Sequence, residues 1–187
     1  NHPQLFDLLR TSNVAVVKTL EYDPNFVAEI KQISPATIVV ARYTPLPIPN
    51  LADWNPTETA RQFVALLLPI ATEPRRQASI DAWEAYNEPT VSNAEEMARL
   101  AIFEAERTRL LAAEGIRSCV GNFSTGRPAL ELWPAFYPAL QAVREHRGYL
   151  GLRDEGRVGT TAAGFHVEQL AWYDAELAKD DYVKPPI

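Results

Sequence analysis

The apolar run from Ile80 to Tyr86 ends in the step Asn87-Glu88-Pro89. A carboxyl at a strand end can do acid–base work on a glycosidic bond, and a carboxamide beside it can hydrogen-bond the substrate. The acid protonates the departing oxygen, the amide hydrogen-bonds the neighbouring sugar hydroxyl, and a second carboxylate attacks the sugar or activates water. Pro89 has no N–H to give a sheet and biases Glu88 away from helix, so a strand over 79–88 is expected to stop there. Alternation puts Ile80, Ala82, Glu84, Tyr86 and Glu88 on one side and Asp81, Trp83, Ala85 and Asn87 on the other. Glu84, one alternation below Glu88, suits a structural ion pair better than catalysis.

Other apolar runs also end on polar groups. Lys18 closes the run over 13–20, Arg42 the run over 37–43, and Asn122 with Ser124 the run over 116–123. Val14 and Val16 precede Lys18 at the same parity, as Ile38 and Val40 precede Arg42, so these head groups share a face with their apolar neighbours. Single buried charges are costly, which favours their convergence at one mouth. There Lys18, Arg42, Asn87 and Asn122 either bind substrate or form a structural plug of ion pairs. A strand-end lysine is also the group that Schiff-base chemistry uses, but no companion acid accompanies Lys18. Trp54, in the proline-rich loop over 44–56, is open to two readings: a platform for a sugar face or a core side chain. Trp133 leans structural, Trp83 and Trp172 fit the core, and His166 and Cys119 read as ordinary packing or surface residues.

These groups need a scaffold, and the periodicity supplies one. Helices are expected over 1–12, from Asp23-Pro24 to about residue 33, from Thr57 through Leu67, over 93–114 with Ser92 or Asn93 as cap and Gly115 as stop, over 131–147, and over 162–178. Strands are expected at 13–20, 37–43, 79–88, 116–123 and 149–152. This alternation calls for a parallel sheet with helices outside it. No glycine-rich phosphate turn follows any strand, which disfavours a nucleotide-binding open sheet. The expected fold class is α/β, a TIM-barrel-like (β/α)8 arrangement that is incomplete, within one domain over 1–187.

Composition narrows the function classes. The 187 residues carry a net charge of −6, with 47% hydrophobic and 22% charged side chains, the balance of a soluble globular chain. Its basic residues are dispersed, so a nucleic-acid partner is not expected. One cysteine and three scattered histidines give no metal-ligand spacing, and neither a metal nor a cofactor is expected. No apolar run matches a membrane span and no signal peptide is read at the N-terminus, but the chain opens without Met and the compartment stays open.

The Asn87-Glu88-Pro89 tip resembles the acid/base motif on the fourth strand of clan A retaining glycoside hydrolases. The wider pattern is similar to one bacterial branch of that clan: VVK at 16–18, SPATIVVAR at 34–42, AWEAYNEP at 82–89, FEAER at 103–107, VGNFSTG at 120–126, QLAWYDAEL at 169–177 and DDYV at 180–183. The resemblance implies a TIM barrel, a carbohydrate substrate, Glu88 as acid/base and a second glutamate as nucleophile on the seventh strand. Residues 153–164 fill the space where that strand would lie, and they hold only Asp154 and Glu155 as carboxylates. Glu155 is the stand-in nucleophile, against its reading as a solvated loop acid. A barrel of this type takes roughly 200–250 residues, so pieces are expected to be missing. The alternatives are a degenerate barrel that binds carbohydrate without turnover, and a homo-oligomer or other assembly joined through open sheet edges.

Overall fold

Asp23 begins the structure's most regular unit. Its carboxylate accepts hydrogen bonds from the Asn25 and Phe26 amides (2.9 and 3.2 Å), and Pro24 stands first in the helix it caps. The computed structural model describes residues 3–124, 127–152 and 175. In chain order these form α1 (Pro3–Thr11), β1 (Val16–Thr19), α2 (Pro24–Ile33), β2 (Ile38–Arg42), α3 (Pro56–Ala71), α4 (Pro74–Ser79), β3 (Ala82–Glu84), α5 (Ala94–Ala113), β4 (Ser118–Phe123), a 3-10 segment (Leu130–Phe136), α6 (Tyr137–Glu145) and β5 (Tyr149–Leu152). Apart from Ala175, which is helical, the helix and tail expected beyond residue 152 lie outside the described residues.

The five strands are all parallel and lie side by side in chain order. Right-handed crossovers in an order without reversal put every helix on the same face. A doubly wound sheet, by contrast, reverses its order at a switch point. The sheet is accordingly curled, as half of an α/β barrel would be. Its two faces hold separate cores. The helical face carries most of the apolar residues, among them Val39, Ala41, Trp83, Val120 and Phe123. The other face has only a small cluster, Val40, Ala82 and Cys119, with Ile38 and Tyr149 beside it.

Local chemistry sets where the elements begin and end. Asn55 caps α3 by accepting from the Glu58 amide, so that helix starts at Pro56, one residue ahead of the expected Thr57. In α5 the Asn93 side chain accepts from the Glu96 amide at 2.9 Å, while the Glu96 carboxylate takes the Ser92 amide at 2.7 Å. This is the reciprocal exchange of a capping box. Gly115 ends the helix at φ +72°, a conformation that glycine adopts without Cβ strain.

Two expectations about element boundaries are corrected. The strand expected over 79–88 is only Ala82–Glu84. Glu73-Pro74 repeats the acid-cap and proline logic of Asp23-Pro24, starting the unexpected helix α4, which takes Ser79. The Asp81 carboxylate then accepts the Val39 amide at 2.7 Å and pairs with Lys31 at 2.6 Å. The helix expected over 131–147 is divided into the 3-10 segment and α6, with Pro138 in the first turn of the latter, where a missing N–H costs nothing. Among the described residues no helix is long and apolar enough to cross a membrane.

The helical layer depends on α5, whose buried side chains include Met97, Leu100, Phe103 and Leu111. Loss of its cap in Asn93→Ala should therefore lower the unfolding free energy by about 1 kcal/mol. Denaturant titration would show it as a lower midpoint at unchanged slope; an unaltered midpoint would mean the cap is not limiting.

Candidate functional site

The register fixes the neighbours at the strand ends. Arg42 of β2 pairs with Glu84 of β3, Glu84 with Cys119 of β4, and Lys18 of β1 with Val40. Lys18, Arg42 and Glu84 therefore share the small-cluster face, with Lys18 one alternation lower. Its long stem brings Nζ to 2.7 Å from Glu84 Oε2, and Arg42 Nε lies 3.6 Å from Oε1. These are ion pairs rather than aligned hydrogen bonds. Glu84 is fully buried, whereas the Lys18 and Arg42 side chains are 30% and 15% exposed. Two cations thus offset one carboxylate that has no access to water, and they join three strands.

The chain leaves alternation after Glu84, and this corrects the expected parity of Tyr86 and Asn87. Tyr86 turns into the helical layer, stacked on Phe103 at 5.1 Å and edge-on to Phe63 at 5.8 Å. Burial, with the nearby Glu104 carboxylate, pushes its phenol up to about 12. Asn87 turns back to the other residues, its Oδ1 accepting from Arg42 Nη1. Glu88 is half-buried and holds φ +47°, a left-handed conformation costly for a residue with a side chain. Its amide donates to the Asn122 carbonyl at 3.1 Å, which ties this turn to the end of β4.

Asn122 owes its position to an irregularity. Gly121 pairs with Gly151 and Phe123 with Leu152, so Asn122 is the extra residue of a bulge, with Gly121 at φ +83° and Asn122 at +51°. The buried Asn122 side chain accepts from the Cys119 thiol at 3.6 Å and overlies Gly151, where any Cβ would collide with Asn122 Oδ1. Its Nδ2 has no hydrogen-bond partner among the described residues. Lys18, Arg42, Glu84, Asn87 and the Glu88 and Asn122 backbones are thus linked at one edge of the sheet. The remaining expected residues lie elsewhere. Trp54 belongs to the aromatic cluster of the helical layer, 5.2 Å from Phe103 and 6.5 Å from Tyr86. Trp133 is buried against Phe123 and Phe136. Glu155, Asp154, His166 and Trp172 lie outside the described residues. Among the described residues no three His, Cys, Asp or Glu side chains are arranged to hold a metal ion.

Glu104 and Arg107 of α5 were not singled out from the sequence, although they lie directly behind the site. Both are buried. Arg107 donates from Nε to Glu104 at 2.8 Å, from Nη1 to the Trp83 carbonyl at 3.0 Å and from Nη2 to the Cys119 carbonyl at 2.9 Å. The Glu104 carboxylate accepts the Gly121 amide, and burial holds its pKa above the usual carboxylate range despite Arg107. The signal was present: positions 97, 100, 104, 107 and 111 follow one helical stripe, so charges at 104 and 107 fall among core residues.

No protein-family model matches the chain, and no curated protein matches it in sequence.

Two outcomes follow from the charges and the burial. Glu84→Gln leaves Lys18 and Arg42 facing a neutral amide and should cost about 3 kcal/mol of stability, read by thermal or denaturant unfolding; a variant as stable as the parent would remove the structural role given to the pair. Burial and the Glu84 charge push the Cys119 thiol up to about 12. At pH 8 this single cysteine should stay unmodified by an aromatic disulfide reagent in the folded protein and react once denatured. Rapid stoichiometric reaction of the native chain would contradict that burial.

Proposed function

We propose that the chain is a TIM-barrel-type glycoside hydrolase of the clan A kind, cleaving a β-glycosidic bond with Glu88 as general acid/base. The observation that carries this reading is the position of Asn87 and Glu88. They follow the C-terminal end of the middle strand of an all-parallel, singly wound sheet, the edge at which barrel enzymes hold their chemistry. The stretches VVK at 16–18, SPATIVVAR at 34–42 and VGNFSTG at 120–126 support the same family.

In the proposed reaction the protonated Glu88 carboxyl gives its proton to the glycosidic oxygen as the bond to the anomeric carbon breaks. A second carboxylate attacks that carbon to form a glycosyl ester. Glu88, now a base, takes a proton from the water that releases the sugar. Arg42 occupies the Asn87 oxygen, which leaves the exposed Asn87 Nδ2 as a fixed-direction donor for the sugar hydroxyl beside the reacting carbon. Lys18 and Arg42 complete the proposed substrate-facing set, and the buried Asn122 serves it from behind through the carbonyl that takes the Glu88 amide. Glu155 is the proposed nucleophile, and retention requires its carboxyl within roughly 5–5.5 Å of Glu88.

A second reading, binding of carbohydrate or of another copy of the chain without turnover, rests on two observations. Glu84, the carboxylate nearest to Glu88 along the strand, is fully buried and committed to Lys18 and Arg42, so it is not available to attack a sugar. Among the described residues β1 and β5 each pair with one strand only, and Val16 at the β1 edge is 41% exposed.

Glu88→Gln decides between turnover and binding. The glycosidase reading expects hydrolysis of an aryl β-glycoside by the parent and a loss of about 10²–10⁴-fold in kcat for the variant. Equal rates for the two proteins would remove Glu88 from the acid/base role. No hydrolysis by either, with retained oligosaccharide affinity, would favour the binding reading.

A further inference from the structure

The ladder between β3 and β4 is short. Only Trp83 with Ser118 and Glu84 with Cys119 are in register before β3 ends, whereas β4 runs on to Phe123. Beyond that point the ladder gives way to a single backbone bond between the turn and β4, from the Glu88 amide to the Asn122 carbonyl. The guanidinium of Arg107 spans the place where the ladder gives out, donating to one carbonyl from each strand, those of Trp83 and Cys119. In the bulge that follows, Gly121 holds φ +83° and the Glu104 carboxylate receives its amide. The next residue, Asn122, offers the carbonyl that takes the Glu88 amide.

We infer that Glu104 and Arg107 are positioning residues, a buried clamp on α5 that sets the Asn87–Glu88 turn through the backbones of Trp83, Cys119, Gly121 and Asn122. Each link in this path is a hydrogen bond or a peptide unit, and no side chain of the turn takes part. Net stability is not a sufficient reason for the pair, because the cost of removing two charges from water commonly cancels their attraction. Geometry is what an apolar pair cannot reproduce. The planar guanidinium fixes three acceptors at set angles, and the carboxylate supplies an acceptor to the Gly121 amide within the bulge. The consequence for catalysis rests on the glycosidase reading above; the control of the turn does not.

The test separates the two. The double variant Glu104→Gln/Arg107→Met removes both buried charges together, a replacement that buried pairs commonly tolerate. Arg107→Lys keeps the charge but loses the two-carbonyl fork, and serves the same comparison if the neutral pair unfolds. Hydrogen exchange at the Glu88 amide should accelerate by about tenfold or more in either folded variant, while the β1 and β2 amides keep their parent rates. On an aryl β-glycoside, kcat should fall by about tenfold with KM within about twofold of the parent. Parent-like exchange at Glu88 in a folded variant overturns the clamp. A parent protein without hydrolysis overturns the glycosidase reading alone, and the exchange result still decides whether the turn is held from α5.

Discussion

A carboxylate sealed from water must be met by positive charge, and Glu84 imposes that requirement on the whole sheet. Its counter-ions come from two other strands, so β1, β2 and β3 must keep a register in which Lys18 and Arg42 both reach it. A one-residue slip would send either head group to the helical face, where apolar side chains fill the space. Removing one partner would leave a buried charge uncompensated, so the three residues act as a registry device as much as a source of stability.

A second pair of charges works from behind the sheet. Glu104 and Arg107 lie within the apolar stripe of α5, yet beyond their own pairing their hydrogen bonds go to backbone groups of β3 and β4. The layer around them is aromatic, with Phe63, Tyr86, Phe103 and Trp54 in mutual contact. The Asn87–Glu88 turn is therefore bounded by two dissimilar environments: an ionic cluster on the small-cluster face and an aromatic shell enclosing a buried ion pair on the helical face.

Much of this architecture was legible in the residues. Alternating buried strands and capped helices pointed to a parallel sheet, and Asp23-Pro24, Asn93 and Gly115 marked helix ends by their own chemistry. The same rule applied to Glu73-Pro74 would have revealed α4 and shortened the strand after it. Parity placed Lys18, Arg42 and Glu84 together because alternation is a strict backbone property. It failed at Tyr86 and Asn87 because the strand stops at Glu84, after which Tyr86 packs into the helical layer and Asn87 bonds Arg42. Asn122 was recognised as a strand-end amide, but the bulge beneath it depends on a register shift against β5 that no local pattern encodes. Trp54 was open between stacking platform and core, and its contacts with Phe103 and Tyr86 are those of a packing residue.

The strand order has a consequence for how the chain acquires its shape. Among the described residues each strand pairs only with its neighbours in sequence, so every new pairing closes a loop within one βα unit. The chain can add units in the direction in which it is synthesised, each finding its docking edge already formed. The widest separation falls between Arg42 and Ala82, where the proline-rich loop and two helices intervene. Closing that interval carries the largest entropic cost of the four, although the cost rises only logarithmically with length. The pairing that brings Glu84 to its counter-ions is thus also the one that closes the longest interval of chain.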